Sequence, residues 1–455
     1  MNIETIANEL KKEVKERGHI HVDLRKKRLL NLKKTIQKHE VMIGKALRSD
    51  LGKSAFESYA TEVGIILEEI SFILKHLDSW AGVKKVKTPM SMFPGKSYIR
   101  PEAYGVALII SPWNYPFQLA LSPFIGAFAA GNRVVIKPSE FSPETSKVIK
   151  LILSEVFEKH EVVVIEGAQE ETQILLKQKF DYIFFTGSTP VGKIIMRAAA
   201  ENLTPVTLEL GGKSPCIIDG SANIDVAAKR VAWGKFLNAG QTCVAPDYVL
   251  VPRKLQSEFI EKLSIHLKSF FGEDPAQSED FPRIVNERHF DRLAELLIPE
   301  KIALGGELDK NAKYISPTIM KDVEWTDKVM EDEIFGPILP VIPYEDQDGA
   351  IDEILERPKP LAFYVFSEDY KKATKIVESI PFGGGCINDT VIHLANPNLP
   401  FGGVGKSGIG SYHGKKSFDT FTHYKSVYEQ GTKVDIPLRY PPYEGKLNFL
   451  KLFIR

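Results

Sequence analysis

The chain of 455 residues and 51.0 kDa is 43% hydrophobic and 26% charged, too apolar for a disordered polymer and long enough for roughly two to four domains with real cores. Fifty-nine basic residues balance fifty-nine acidic ones, so no global field draws in nucleic acid or an anionic membrane. The sequence has no apolar signal core, no run near the roughly 18 apolar residues of a bilayer span, and no HExxH or CxxC metal spacing. Three cysteines, Cys216, Cys243 and Cys386, are too few for a disulfide framework and point to a reducing, cytoplasmic setting.

Three helical patterns open the chain, near residues 2–17, 22–49 and 55–80. Residues 1–54 hold 14 Lys/Arg against 7 Asp/Glu, which reads as the solvated faces of amphipathic helices. Residues 84–101, with three prolines and a glycine, break the period as an extended arm or linker. Strand patterns then alternate with helices: 105–111, 132–138, 161–167 and 181–187, and after residue 210 again at 214–219, 247–252, 338–344, 361–367 and 383–389. Helices fall at 116–131, from 142, 190–202, 223–238, 254–271 and 369–379. Continuous β-branched and aromatic runs between helices indicate parallel sheets covered on both faces, hence an α/β fold of two lobes meeting near residue 210. The tail from about 410 is rich in Tyr, Lys and Pro.

Several strand ends carry candidate chemistry. "IISPWNYPF" sets Asn114, a neutral amide donor suited to an oxyanion, just past a buried strand. "VVIKPSE" ends a strand with Lys137 and Glu140, where an open sheet binds ligands and where these groups suit ribose hydroxyls. In "DYIFFTGSTPVG", Gly187 and Gly192 frame a turn into a helix with Ser188 at the N-cap, a place for phosphate oxygens. Thr189 stands where a GxGxxG fingerprint has its middle glycine, so a dinucleotide lies differently here. "PVTLELGGKSP" puts Glu209 at the end of an apolar strand, where desolvation raises its pKa and makes it a general base. Paired glycines beyond it let backbone pass close to a ligand. Cys243 in "FLNAGQTCVAPDYVLVP" follows a flexible Ala-Gly, in a polar loop where Gln241 and Thr242 favour a nucleophilic thiolate. Cys216 and Cys386 fall in a strand pattern and a glycine run and read as structural. "EDEIFGPILP" presents Glu333 and Phe335 on one face of an extended segment, fit to grip a sugar and a ring.

Together the ordered motifs "SPWNYP", "VVIKPSE", "FTGSTPVG", "VTLELGGKSPC", "NAGQTCVAPDYV", "DEIFGP" and "LPFGGVGKSGIGSYHGKKSFDTFTH" resemble the aldehyde dehydrogenase superfamily over nearly the whole chain. The length near 450 and "CVAPDY" are most similar to its class 3 and fatty aldehyde dehydrogenase branch. The resemblance implies NAD(P)-dependent oxidation of aldehydes to carboxylic acids, with Cys243 as nucleophile, Asn114 and the Cys243 N–H on the oxyanion, and Glu209 activating the water that cleaves a thioester. It assigns Lys137 and Glu140 to the adenosine ribose, Gly187, Ser188 and Gly192 to the pyrophosphate turn, and Glu333 and Phe335 to the nicotinamide ribose and ring. Glu140 would repel a 2′-phosphate and favours NAD, although this branch often accepts NADP too. The motif's one departure, Asp332 for Glu, lies beside Glu333 and matters little.

The implied architecture is a Rossmann-like cofactor domain (1–83 and 102–210), a related α/β catalytic domain (211–409), and a bridging, oligomerising arm and tail (84–101 and 410–455), in a homodimer. A CoA-acylating semialdehyde dehydrogenase is the alternative, disfavoured by a hydrolytic base at Glu209. A cysteine hydrolase would need His266, His289, His393 or His423 beside Cys243. The resemblance also brings Tyr115, Trp233, Leu119 and Leu394 to the substrate passage, with His413 near its mouth. Those apolar positions favour medium-to-long aliphatic or aromatic aldehydes. The ending "KLNFLKLFIR" either caps that passage or touches a membrane surface, being too short and charged to span one.

Overall fold

Val106–Ile110 and Arg133–Lys137 are buried at every position, on both faces. A strand with no solvent face must lie inside a sheet covered twice. In the computed structural model, which describes residues 2–453, these are the central strands of a six-stranded sheet. Its order is Gly408–Ile409, Val206–Leu210, Tyr182–Gly187, Val106–Ile110, Arg133–Lys137, Val162–Val164. All neighbours are parallel except the short Gly408–Ile409 edge. The chain builds outward from Val106–Ile110 to Val162–Val164 and then returns to the other side. The crevice between Val106–Ile110 and Tyr182–Gly187 is therefore a topological switch point, where such sheets bind ligands beyond their carboxyl ends.

A second sheet has the order Ile302–Leu304, Thr318–Met320, Ile338–Tyr344, Tyr248–Pro252, Pro215–Ile218, Ala362–Phe366, Gly384–Ile387. It is parallel apart from its first strand. The arm expected at 84–101 is extended: Lys84–Val86 and Lys96–Ala103 form an antiparallel three-stranded sheet with Thr422–Glu429 from the tail.

Helix Pro116–Ala130 joins the helical layer to the first sheet and is buried on every side. Proline at its first turn and Gly131 at φ +102° bound it, since proline lacks the N–H a first turn leaves unpaired and glycine accepts left-handed backbone. The amino-terminal helices pack over it with Leu29, Leu32, Ile36, Ile66, Ile70 and Ile73 in one core.

The helix expected over 22–49 is two, Val22–Lys38 and Glu40–Leu51, broken at His39. The one expected over 55–80 is Ala55–Ser58, a π-turn Tyr59–Val63, and Gly64–Ala81. Helices Gln169–Leu176, Glu287–Ala294 and Gln347–Leu355 have no counterpart among the expected elements. The ending 446–455 contains helix Leu447–Phe453, and its last two residues lie outside the described ones. No helix among the described residues is long and apolar enough to cross a membrane.

Candidate active site

Helix Ile224–Phe236 runs into a short turn, Leu237–Gly240, and then into the loop of Cys243. That turn is not the flexible link expected of Ala239-Gly240. Asn238, Ala239 and Gly240 stand at φ of +51°, +50° and +74°, a costly run of left-handed backbone that persists only where its surroundings over-determine it. A Cβ at position 240 would lie 2.2 Å from the Gly336 carbonyl oxygen, so only glycine fits. Asn238 Nδ2 donates to the carbonyls of Asn114 (2.7 Å) and Gln241 (3.1 Å). Gln241 Nε2 donates to the Asn238 and Arg283 carbonyls, and its Oε1 accepts from Val285 N–H. Thr242 Oγ1 lies 2.6 Å from the Tyr115 hydroxyl. Gln241 and Thr242 thus spend their polarity on holding the loop, not on the thiol.

Asn114 is buried, and its Nδ2 donates to the Gln241 carbonyl at 3.1 Å. A primary amide carries two N–H groups, so one remains for an oxyanion. Backbone N–H groups of Cys243 and Val244 are directed at the sulfur. Tyr364 donates to the Val244 carbonyl at 2.6 Å on the strand side of the loop. Burial, reinforced by the Glu333 and Glu209 carboxylates, nevertheless pushes the Cys243 thiol up to about 12. The loop alone does not produce a thiolate at neutral pH, which corrects that expectation.

Glu209 lies in register between Thr186 and Gly408. It is buried, neither carboxylate oxygen has a partner, and burial holds its carboxyl well above the usual range. Glu333 also acts on the Cys243 thiol. A Cβ at Gly211 would stand 1.9 Å from Glu333 Oε2, so the glycine there admits this carboxylate. Burial, then Asp247, pushes Glu333 to about 8 against the Gly212 N–H, which lowers it. Its Oε1 has no partner. The segment is not extended as expected, because Phe335 stands at φ +51°. Asp247 accepts from Ile334 N–H at 3.2 Å, Lys213 Nζ binds Asp247 at 2.8 Å, and Phe335 meets Trp113 edge-on at 5.3 Å.

These donors and acceptors fit a nicotinamide dinucleotide. Ser188 is the N-cap of helix Thr189–Ala200, but its hydroxyl makes no capping bond, which leaves first-turn N–H groups for an anion. Lys137 is buried rather than solvated, with Nζ 2.9 Å from the Pro138 carbonyl and 3.6 Å from the half-exposed Glu140 carboxylate. Glu140 and the partnerless Glu333 oxygen are acceptors of the kind that ribose hydroxyls need. Gly192 sits inside the helix, where a Cβ would lie 2.7 Å from Leu210 Cδ2. It lets helix and strand approach, as the third glycine of a Rossmann turn does.

Of the substrate candidates, Tyr115 is joined to the nucleophile loop through Thr242, and Leu119 is a buried residue on the same helix entry. His413 stacks on Phe401 at 5.2 Å and bonds to the backbone of Leu394, and burial lowers it to about 4. Trp233 is 40% exposed. Among the described residues no histidine is hydrogen-bonded to Cys243: His266 pairs with Asp225, His393 Nδ1 lies 3.5 Å from Cys386, and His289 lies against Trp113. Cys216 is buried mid-strand. Lys53, Glu57 and Glu62 were not anticipated; the signal was a carboxylate at position 62 on the apolar stripe of Ile66, Ile70 and Ile73.

A family model for the aldehyde dehydrogenase family matches residues 1–427. The 4,4′-diaponeurosporen-aldehyde dehydrogenase of Staphylococcus aureus is 51% identical over 436 residues, 95% of either chain. Aldehyde dehydrogenase family 3 member A2 of Macaca fascicularis is 48% identical over 429 residues, 93% of this chain and 88% of that one. The substrate-bound structure of Staphylococcus aureus AldH is similar at a TM-score of 0.98 and 50% identity, over 100% of both chains. The chain belongs to the aldehyde dehydrogenase family, on its class 3 side, and is an NAD(P)-dependent oxidoreductase of aldehydes.

Proposed function

We propose that in this member of the aldehyde dehydrogenase family Cys243, Asn114 and Glu209 carry the reaction, on medium- to long-chain aliphatic or aromatic aldehydes. The observation that supports this most is the enclosure in which the Cys243 thiol feels both Glu209 and Glu333, beside the Asn114–Gln241 bond. Cys243, its thiol proton having passed to solvent, adds as thiolate to the carbonyl carbon, and the carbonyl π bond breaks toward oxygen. Negative charge gathers on the carbonyl oxygen, where the free Asn114 N–H and the Cys243 N–H hold it, commonly worth about 3–4 kcal/mol. The nicotinamide dinucleotide, when bound, supplies the hydride acceptor for this oxidation. Glu209, ionised, removes a proton from the water that cleaves the thioester left on Cys243, and the carboxylic acid departs. A CoA-acylating enzyme has no use for that base; acid formed from aldehyde without CoA excludes it.

The cofactor would be held by the lobe of 1–83 and 102–210 through Lys137, Glu140, Gly187 and Ser188, with Gly192 letting that helix approach the sheet, and by Glu333 and Phe335 of the catalytic lobe, 211–409. Tyr115, Leu119, Trp233, Leu394 and His413 would wall the passage. Each methylene buried there is worth roughly 0.8 kcal/mol, near fourfold in binding. Steady-state kcat/KM is therefore expected to climb from two to ten carbons, mainly through KM, with NAD and NADP each tested. A flat profile rejects the apolar passage, and a rise that survives deletion of 446–455 removes the tail from selection.

We also infer a homodimer. Lys84–Val86 and Thr422–Glu429 are the two edges of the arm-and-tail sheet, with largely exposed side chains, and an open edge is a site for pairing. Light scattering should give twice 51.0 kDa; a 51.0 kDa particle at micromolar concentration overturns this. A reducing, cytoplasmic setting is supported by three cysteines that are all unpaired.

A further inference from the structure

We propose that Lys53, paired with Glu62, is a positioning residue for the oxyanion donor Asn114, an inference that rests on the role given above to Asn114. Ser54 caps the short helix Ala55–Ser58 through Glu57 N–H. The chain then widens into the π-turn Tyr59–Val63 before Gly64–Ala81 begins. Such turns are rare and concentrate at functional sites. This one carries Glu62 inward.

Lys53 and Glu62 are fully buried, with Nζ 2.5 Å from Glu62 Oε1. The other carboxylate oxygen accepts from Phe117 N–H at 2.8 Å and Gln118 N–H at 3.2 Å, the first turn of helix Pro116–Ala130. Lys53 Nζ also donates to the Asn114 carbonyl at 3.1 Å and lies 3.9 Å from the centre of the Tyr115 ring. Every one of these interactions outside the pair falls on residues 114–118, the segment that aims the Asn114 amide. The same stretch grips the turn before Cys243, because Glu57 Oε1 accepts from Asn238 N–H at 2.9 Å. Asn238 Nδ2 in turn shares the Asn114 carbonyl with Lys53.

A buried ion pair is poor value as a stability device, since desolvation cancels much of its attraction and apolar side chains of equal volume often do as well. Its placement is what needs explaining. The ammonium sets the Asn114 peptide, and a misplacement near 1 Å at a reacting centre costs on the order of 100-fold in rate.

The experiment compares the wild type with Lys53→Met, the neutral pair Lys53→Met/Glu62→Gln, and Asn114→Ala. The double variant keeps an acceptor for the Phe117 and Gln118 N–H groups and neutralises both members of the pair, so Glu62 is not left as an unpaired charge if the single variant fails to fold. Three readouts are taken: single-turnover NADH formation, NAD affinity, and the rate at which iodoacetamide alkylates Cys243, followed on its peptide by mass spectrometry. Alkylation needs the thiolate but creates no oxyanion. The double variant is expected to form NADH about 10- to 100-fold more slowly, with alkylation and NAD affinity within about twofold of wild type. Alkylation slowed as much as NADH formation overturns the proposal in favour of general disruption. A double variant at the wild-type NADH rate overturns it alone if Asn114→Ala is slow. If Asn114→Ala is itself as fast as wild type, the oxyanion assignment falls first.

Discussion

Replacing Cys243 with alanine is expected to abolish aldehyde oxidation, by at least about 10^4-fold, while the nicotinamide dinucleotide still binds with its affinity unchanged. The loop does not depend on the sulfur for its shape. Asn238, Gln241, Tyr115 and Tyr364 hold it through hydrogen bonds that alanine leaves in place. No other thiol substitutes. Cys216 is sealed in the second sheet with its thiol pushed far up by burial, and Cys386 lies against His393 on another strand. NADH production and a fluorescence titration with NAD separate the two effects. Substantial residual oxidation would sink the nucleophile assignment. The pushed-up thiol adds a sign: without cofactor, alkylation of wild-type Cys243 should rise about tenfold per pH unit through neutrality, because the thiolate is the minor form until about 12.

Much of the scaffold was legible because full burial writes itself into sequence. "VALII", "YIFF" and the "VVI" of "RVVIK" are unbroken apolar runs, the mark of a sheet covered on both faces. Elements that bury little leave little trace. Helix Gln169–Leu176 buries only Leu175, and Gln347–Leu355 only Ala350 and Ile354. The break at His39 follows neither glycine nor proline; the chain simply turns at φ −101°, ψ 11° between two helices that feed one core.

The candidate site divides in the same way. Residues embedded in long motifs, such as Asn114, Glu209 and Cys243, could be named from the chain. The backbone that presents them could not. Asn238, Ala239 and Phe335 adopt left-handed conformations without being glycine, a choice fixed by tertiary packing rather than by local propensity. Nor does sequence announce that Glu333 fills the space beside Gly211, or that Lys53 reaches a carbonyl 61 positions away. Those are facts about what closes around a loop.

Glu209→Gln is the sharper test of mechanism, because it separates the two halves of the reaction. Neither Glu209 oxygen has a hydrogen-bond partner, so an isosteric amide sacrifices no bond and adds no unpaired charge. Formation of the thioester does not require a base at this position if Cys243 reacts as thiolate. Its hydrolysis does. The expected trace is a burst of NADH near the wild-type amplitude, then a steady rate lower by about 10^2- to 10^4-fold. Burial holds the Glu209 carboxyl well above the ordinary range, so its basic form is scarce at low pH and grows as pH rises. Where deacylation limits turnover, wild-type kcat should therefore rise with pH, and the variant should lose that rise because an amide does not titrate. A variant that loses the burst while still binding NAD normally assigns Glu209 to the thiol instead, and one that loses NAD binding as well has disturbed the cofactor site: in the first case the carboxylate that raises the Cys243 pKa by its charge would also be the group that takes its proton.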